Sequence, residues 1–155
     1  MFSQFASQVL VLALLVSIPF KNNQGAPQQN GSVPRGSAAS TIEMRTGAEG
    51  VDFDPYLRDV YLSVRKRWFA KMPAFLAKSH QGKNIVEFRV LQDGSVPKEF
   101  LQIALSSEKS DFDAASSQGV RDSAPFNHLP ESFSKPYIVL RFTFYYNLPI
   151  PQNPR

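Results

Sequence analysis

Between Val51 and Leu148 the spacing of apolar residues switches between the helical and the strand period, and each switch marks an element. From Tyr56 onward the apolar positions are Leu57, Val60, Tyr61, Val64 and Trp68, one face of a helix. Asp54 followed by Pro55 reads as its start: a carboxylate to cap free amides, then a ring whose fixed φ suits the first turn. Arg65, Lys66, Arg67 and Lys71 gather toward its C-terminal end, where cations suit the helix dipole, and Pro73 should end it. Residues 82–92 (GKNIVEFRVLQ) then alternate, with Val86, Phe88 and Val90 on one face and Glu87 and Arg89 on the other. Asp93-Gly94 is a hairpin signal. The return strand within residues 95–105 must start late or run at an edge, because Pro97 cannot donate to a ladder. After a polar loop, Asp113 is expected to cap a short helix over residues 114–123. The segment PFNHLP (residues 125–130) is too rich in proline for regular structure and too apolar for open solvent, so it is expected to pack on the domain. Residues 137–147 (YIVLRFTFYYN) alternate again. Ile138, Leu140, Phe142, Phe144 and Tyr146 make one face; Tyr137, Val139, Arg141, Thr143 and Tyr145 make the other. The order helix, strand, strand, helix, strand predicts an α+β fold, a three-stranded antiparallel sheet covered by two helices.

The flanks are of different material. Residues 1–21 are read as a membrane anchor or a signal segment: Met1 to Phe20 carry no charge, and Val9 to Phe20 is almost wholly apolar. That run lies between the roughly 7–15 residues of a signal h-region and the roughly 20 of a spanning helix, so a retained anchor and a cleaved export signal are both open. Either reading puts the domain outside the cytoplasm. Residues 22–50 are dominated by Gly, Ser, Gln, Asn, Pro and Ala, the composition of a flexible linker. Residues 51–148 form the domain, and 149–155 a tail.

Composition removes several chemistries. The chain has no cysteine, which excludes disulfides, thiolate metal sites and thiol nucleophiles. Its histidines are His80 and His128, in unrelated loops, without H-E-x-x-H, H-x-E or an Asp-rich loop, so no metal site is expected. The serines do not sit in a G-x-S-x-G elbow, and the glycines form no phosphate cradle. No catalytic residue and no cofactor is expected, and the chain is not read as an enzyme. A formal charge of +4, spread along the chain, is too mild and mixed for a nucleic-acid binder. What stands out is the outer face of the last strand, aromatic and amphipathic rather than plainly polar. If that strand lies at the sheet edge, its free backbone groups are a template for another strand.

Taken in order, VDFDPYLRDVYLSVRKRWF, NIVEFRVLQDGSV, LSSEKSDFDAASSQGVRDSAPFNHLP and YIVLRFTFYYN resemble the C-terminal domain of TonB- and TolA-type energy transducers over nearly all of residues 51–148. The most specific pieces are the strand ending in Asp93-Gly94, the Ser106-Ser107 pair ahead of Asp113, and PFNHLP, which is similar to the family's PF-x-PLP segment. The resemblance implies a periplasmic adapter, tethered to the inner membrane and driven there by a proton-driven motor complex. It would capture a segment of an outer-membrane receptor, or of another envelope protein, by strand addition to its last strand. That role falls on Tyr137, Val139, Arg141, Thr143 and Tyr145, with Pro125, Phe126, His128 and Pro130 as a second contact. The chain departs from the family in its linker. Residues 22–50 reach on the order of 100 Å when stretched and roughly 30 Å as a relaxed coil, short for crossing a periplasm. A structural or dimerising periplasmic domain, its last strand paired with a second copy, is the alternative; a nucleic-acid-binding module is a more distant one.

Overall fold

The computed structural model describes residues 36–72 and 80–151. The elements run β1 (Ala38–Met44), α1 (Asp54–Ala70), β2 (Gly82–Leu91), β3 (Leu101–Leu105), α2 (Ser110–Arg121) and β4 (Tyr137–Tyr146). The strands form one antiparallel sheet in the order β1-β4-β2-β3, with both helices on one face. The α+β class and the alternation of helices and strands over residues 51–148 are as the sequence predicts. The three-stranded sheet is corrected to four, because β1 comes from the segment read as linker. The apolar segment of residues 1–20, the first part of the linker (residues 22–35) and the terminal residues 152–155 lie outside the described residues.

The core is the meeting of two periodicities. Leu57, Val60, Tyr61, Val64 and Trp68 of α1 are all buried, and so are Val86, Phe88 and Val90 of β2. Ile138, Leu140, Phe142, Phe144 and Tyr146 of β4 are each fully enclosed. β2 pairs with β4 along its whole length, from Gly82 opposite Tyr146 to Leu91 opposite Tyr137. α2 lies against α1 where Gly119 meets Trp68: a Cβ on Gly119 would come within 3.0 Å of the Trp68 Cβ.

One hydrogen-bonded chain ties these layers. The Trp68 Nε1–H donates to the Tyr146 hydroxyl (2.9 Å), which donates to the Phe112 carbonyl (2.9 Å). The rings of Phe112 and Tyr146 stack with centroids 4.1 Å apart. A second network fixes α2 to β2. Asn84, fully buried, donates from Nδ2 to Asp113 Oδ1 (2.9 Å) and Ser116 Oγ (2.6 Å), while Ser106 and Ser107 donate to the same Asp113 carboxylate.

Three local expectations change for physical reasons. Asp54 does not cap α1: the N-cap position is Phe53, without a side-chain cap bond, the helix begins at Asp54 itself, and the Asp54 N–H donates to Asp52 Oδ1 (3.0 Å) just ahead of it. α2 starts at Ser110, ahead of Asp113, because that carboxylate serves Ser106, Ser107 and Asn84 instead of capping. The turn after β2 is tight, with Gly94 at φ +82°, but the return is not a simple hairpin. Lys98–Phe100 form a 3-10 turn after Pro97, and β3 starts late and lies at the edge, both outcomes the proline implies.

Removing the hinge of the aromatic chain with Tyr146→Phe takes the hydroxyl acceptor from the Trp68 N–H in the core and one donor from the Phe112 carbonyl, which keeps Asn84 Nδ2 (3.4 Å). The expected cost is about 1–3 kcal/mol, read by chemical denaturation. The pH profile follows from two opposite shifts. Burial works against the Asp113 carboxylate, but hydrogen bonds from Ser106, Ser107 and Asn84 outweigh it and hold its pKa below the ordinary value. Its contribution is therefore present above a pH of about 4 and lost as pH falls further. Burial pushes the phenols of Tyr56 (to about 12) and Tyr146 upward. Their contribution holds below a pH of about 10 and fades as pH rises beyond it. Denaturation midpoints should thus fall at both extremes, and Asp113→Asn should flatten the acid limb alone.

Candidate partner-binding surface

β4 is built from strict alternation, so its two faces separate cleanly. The face away from the helices carries Tyr137, Val139, Arg141 and Thr143, all partly exposed, and Tyr145, which is only 7% exposed. Neighbouring strands extend it in register. Across β2 the facing residues are Leu91, Arg89, Glu87, Ile85 and Lys83; across β1 they are Glu43 at Arg141, Thr41 at Thr143 and Ala39 at Tyr145. Arg141 donates from Nε (3.1 Å) and Nη2 (2.8 Å) to Glu87 Oε2. The Arg89 guanidinium lies 4.5 Å from the Phe100 ring centroid and 4.7 Å from that of Tyr137. Burial raises the Tyr145 phenol above its usual pKa, against a hydrogen bond with Thr41, so the group stays neutral. The surface is a laced aromatic and charged platform, with Arg141 paired to Glu87 and Arg89 and Lys83 set over aromatic rings.

The expectation that β4 lies at an edge is corrected. β4 is an inner strand, with β2 on one side and β1 on the other, from Ala38 opposite Tyr146 to Met44 opposite Leu140. Neither an added strand nor a second copy can pair with β4 while β1 is in place. Among the described residues the sheet's outer strands are β1 and β3.

β1 is lightly held. Its inward row is Ala38, Ser40, Ile42 and Met44, of which only Ser40 and Ile42 are buried (1% each). Clamps at the two ends complement the ladder. At one end the Gly36 and Ser37 amides donate to Asn147 Oδ1 (2.8 and 3.1 Å), and the Asn147 amide donates to the Ser37 carbonyl (2.8 Å). At the other, the Arg45 amide donates to the Val139 carbonyl and the Val139 amide to Thr46 Oγ1, both at 2.8 Å.

The second expected contact, PFNHLP, packs on the domain as anticipated but divides by depth. Phe126 and Leu129 are buried; Pro125 and His128 are exposed and Pro130 lies between. The Phe126 amide donates to the Gly94 carbonyl (2.8 Å), the Leu129 amide to the Gln92 carbonyl (3.0 Å), and the Tyr56 hydroxyl to the Asn127 carbonyl (2.9 Å). A Cβ on Gly94 would lie 2.0 Å from the Phe126 carbonyl oxygen, so only glycine fits. The segment is a buttress for the β2 turn, and it does not meet the outer face of β4. His80 stands apart again, its carbonyl accepting from Asn147 Nδ2 (2.9 Å).

Comparison of the chain with protein-family models, with curated proteins and with solved structures finds no match in any of the three.

Because β1 touches the fold mainly through β4, it should open before the rest unfolds. Native-state hydrogen exchange should show the amides of residues 38–44 exchanging well before those of β2 and β4. Ile42→Ala should hasten that opening with little change in the global unfolding midpoint, whereas Phe142→Ala should lower the midpoint itself.

Proposed function

We propose that this chain is a TonB/TolA-like envelope adapter: a periplasmic, non-enzymatic domain that binds an extended segment of an outer-membrane receptor or another envelope protein along β4. The segment takes the place of β1. The observation that carries this reading is the occupancy of that edge by a seven-residue strand of the chain's own linker, held chiefly by backbone pairing to β4 and two buried side chains. Strand addition obtains affinity from backbone hydrogen bonds and selectivity from alternate side chains, and β1 occupies β4 in just this manner. The order of motifs over residues 51–148 supports the same assignment. Tethering to the inner membrane through residues 1–20, and energy supplied there by a proton-driven motor, belong to the proposal at its outer limit. The chain binds first; transmission follows only if residues 22–37, with β1 released, let the domain reach its partner.

The lack of any cysteine offers a clean lock. Thr41 and Thr143 are directly opposite, and opposed residues of an antiparallel pair have Cα atoms roughly 4.5–5.5 Å apart, inside disulfide range. In the double variant Thr41→Cys/Thr143→Cys, peptides from the periplasm-facing N-terminal segments of outer-membrane receptors should fail to bind when oxidised and recover when reduced. In the unmodified chain, binding should shift the backbone amides of residues 137–145 and release those of β1. Binding that survives the lock, or leaves those amides unmoved, would sink the proposal.

A further inference from the structure

We infer that β1 is an imperfect occupant of its own groove, mismatched at Ser40, and that the segment which replaces it carries a small apolar side chain there with an aliphatic residue two positions on. This inference rests on the strand-exchange reading above and specifies its ligand.

Four side chains of β1 face the core in register with β4: Ala38 at Tyr146, Ser40 at Phe144, Ile42 at Phe142 and Met44 at Leu140. Ile42 is a good occupant, a branched aliphatic side chain only 1% exposed. Ser40 is equally enclosed, yet its Oγ has no hydrogen-bond partner among the described residues. The Tyr61 hydroxyl donates to the Ser40 backbone carbonyl (3.3 Å) rather than to its side chain, and the Tyr61 ring stacks on Phe142. The Ser40 side chain is therefore shut away from water beside aromatic neighbours.

A hydroxyl taken out of water without a partner weakens the docking of its strand by roughly tenfold or more. Alanine would fill the same space without that loss, and a longer side chain would meet the rings. The outward row sets weaker demands: Thr41 and Glu43 face Thr143 and Arg141, and Arg141 is already served by Glu87. The preferred ligand thus runs antiparallel to β4 with the inward pattern small-apolar, any residue, aliphatic. β1 meets that pattern except at one atom. The defect keeps the tethered strand, whose effective concentration is of roughly millimolar order, from shutting the groove against partners in trans.

Two readouts on the full-length chain test this. Hydrogen exchange of residues 38–44 is compared between the wild-type chain and Ser40→Ala, a variant small enough to keep the fold. Two synthetic peptides spanning residues 36–46, one native and one with Ser40→Ala, are titrated into the isotopically labelled wild-type chain. Ser40→Ala should slow opening of β1 about tenfold, and the alanine peptide should enter about tenfold more tightly than the native one, shifting residues 137–145. Unchanged β1 opening in Ser40→Ala, or equal affinities for the two peptides, overturns the inference while leaving strand exchange standing. If Ser40→Ala slows opening but neither peptide moves residues 137–145, strand exchange fails and the ligand pattern fails with it. Shifts confined to Leu101–Leu105, the opposite edge, overturn both as well.

Discussion

The whole arrangement depends on the buried contact among Trp68, Tyr146 and Phe112. These side chains come from α1, β4 and α2, and they meet through two hydrogen bonds and a close ring stack with almost no solvent contact. In a dry interior an indole N–H left alone is costly, so the three elements can come together in few ways. Gly119 exists for the same junction, since any side chain there would press on Trp68. With α1 and α2 fixed against the end of β4, the inner face of that strand lies beneath the helices and its outer face is turned away from them.

Where a strong period meets strong residues, the fold is legible. α1 and β4 bury the very positions their spacing singles out, and Pro97 correctly implies a late, marginal β3. β1 is hidden because its seven residues, AASTIEM, bring just two large apolar side chains, embedded in a Gly-, Ser- and Pro-rich stretch. Composition over such a window describes the surroundings and hides the strand; what makes it a strand is the ladder supplied by β4, information that lies about a hundred residues away. The start of α1 is legible, but the capping residues of both helices mislead for a related reason. A carboxylate such as Asp113 can cap a helix or gather distant hydroxyls, and only the tertiary neighbours decide which.

The surface shows the same division. Alternation assigns Tyr137, Val139, Arg141, Thr143 and Tyr145 to one face correctly, because facing is a local property with a period of two. Whether their strand lies at an edge is a property of the whole sheet, and there the local pattern has nothing to say. Tyr145 illustrates the gap: an outward residue by pattern, it is nearly enclosed by the neighbours that β1 and β2 bring beside it, Thr41 and Lys83. In PFNHLP, the apolar residues read as a contact are partly spent on the interior, leaving Pro125 and His128 outward.

The clamp at Asn147 has a mechanical side. Gly36 and Ser37 lie beside the C-terminal end of β4, where their amides hold the Asn147 side chain. A pull applied at Gly36 would load those bonds first. Once they part, the next bonds along the chain are those of the β1 ladder. The Asn147 clamp and the β1 ladder therefore stand between a pull at Gly36 and the core.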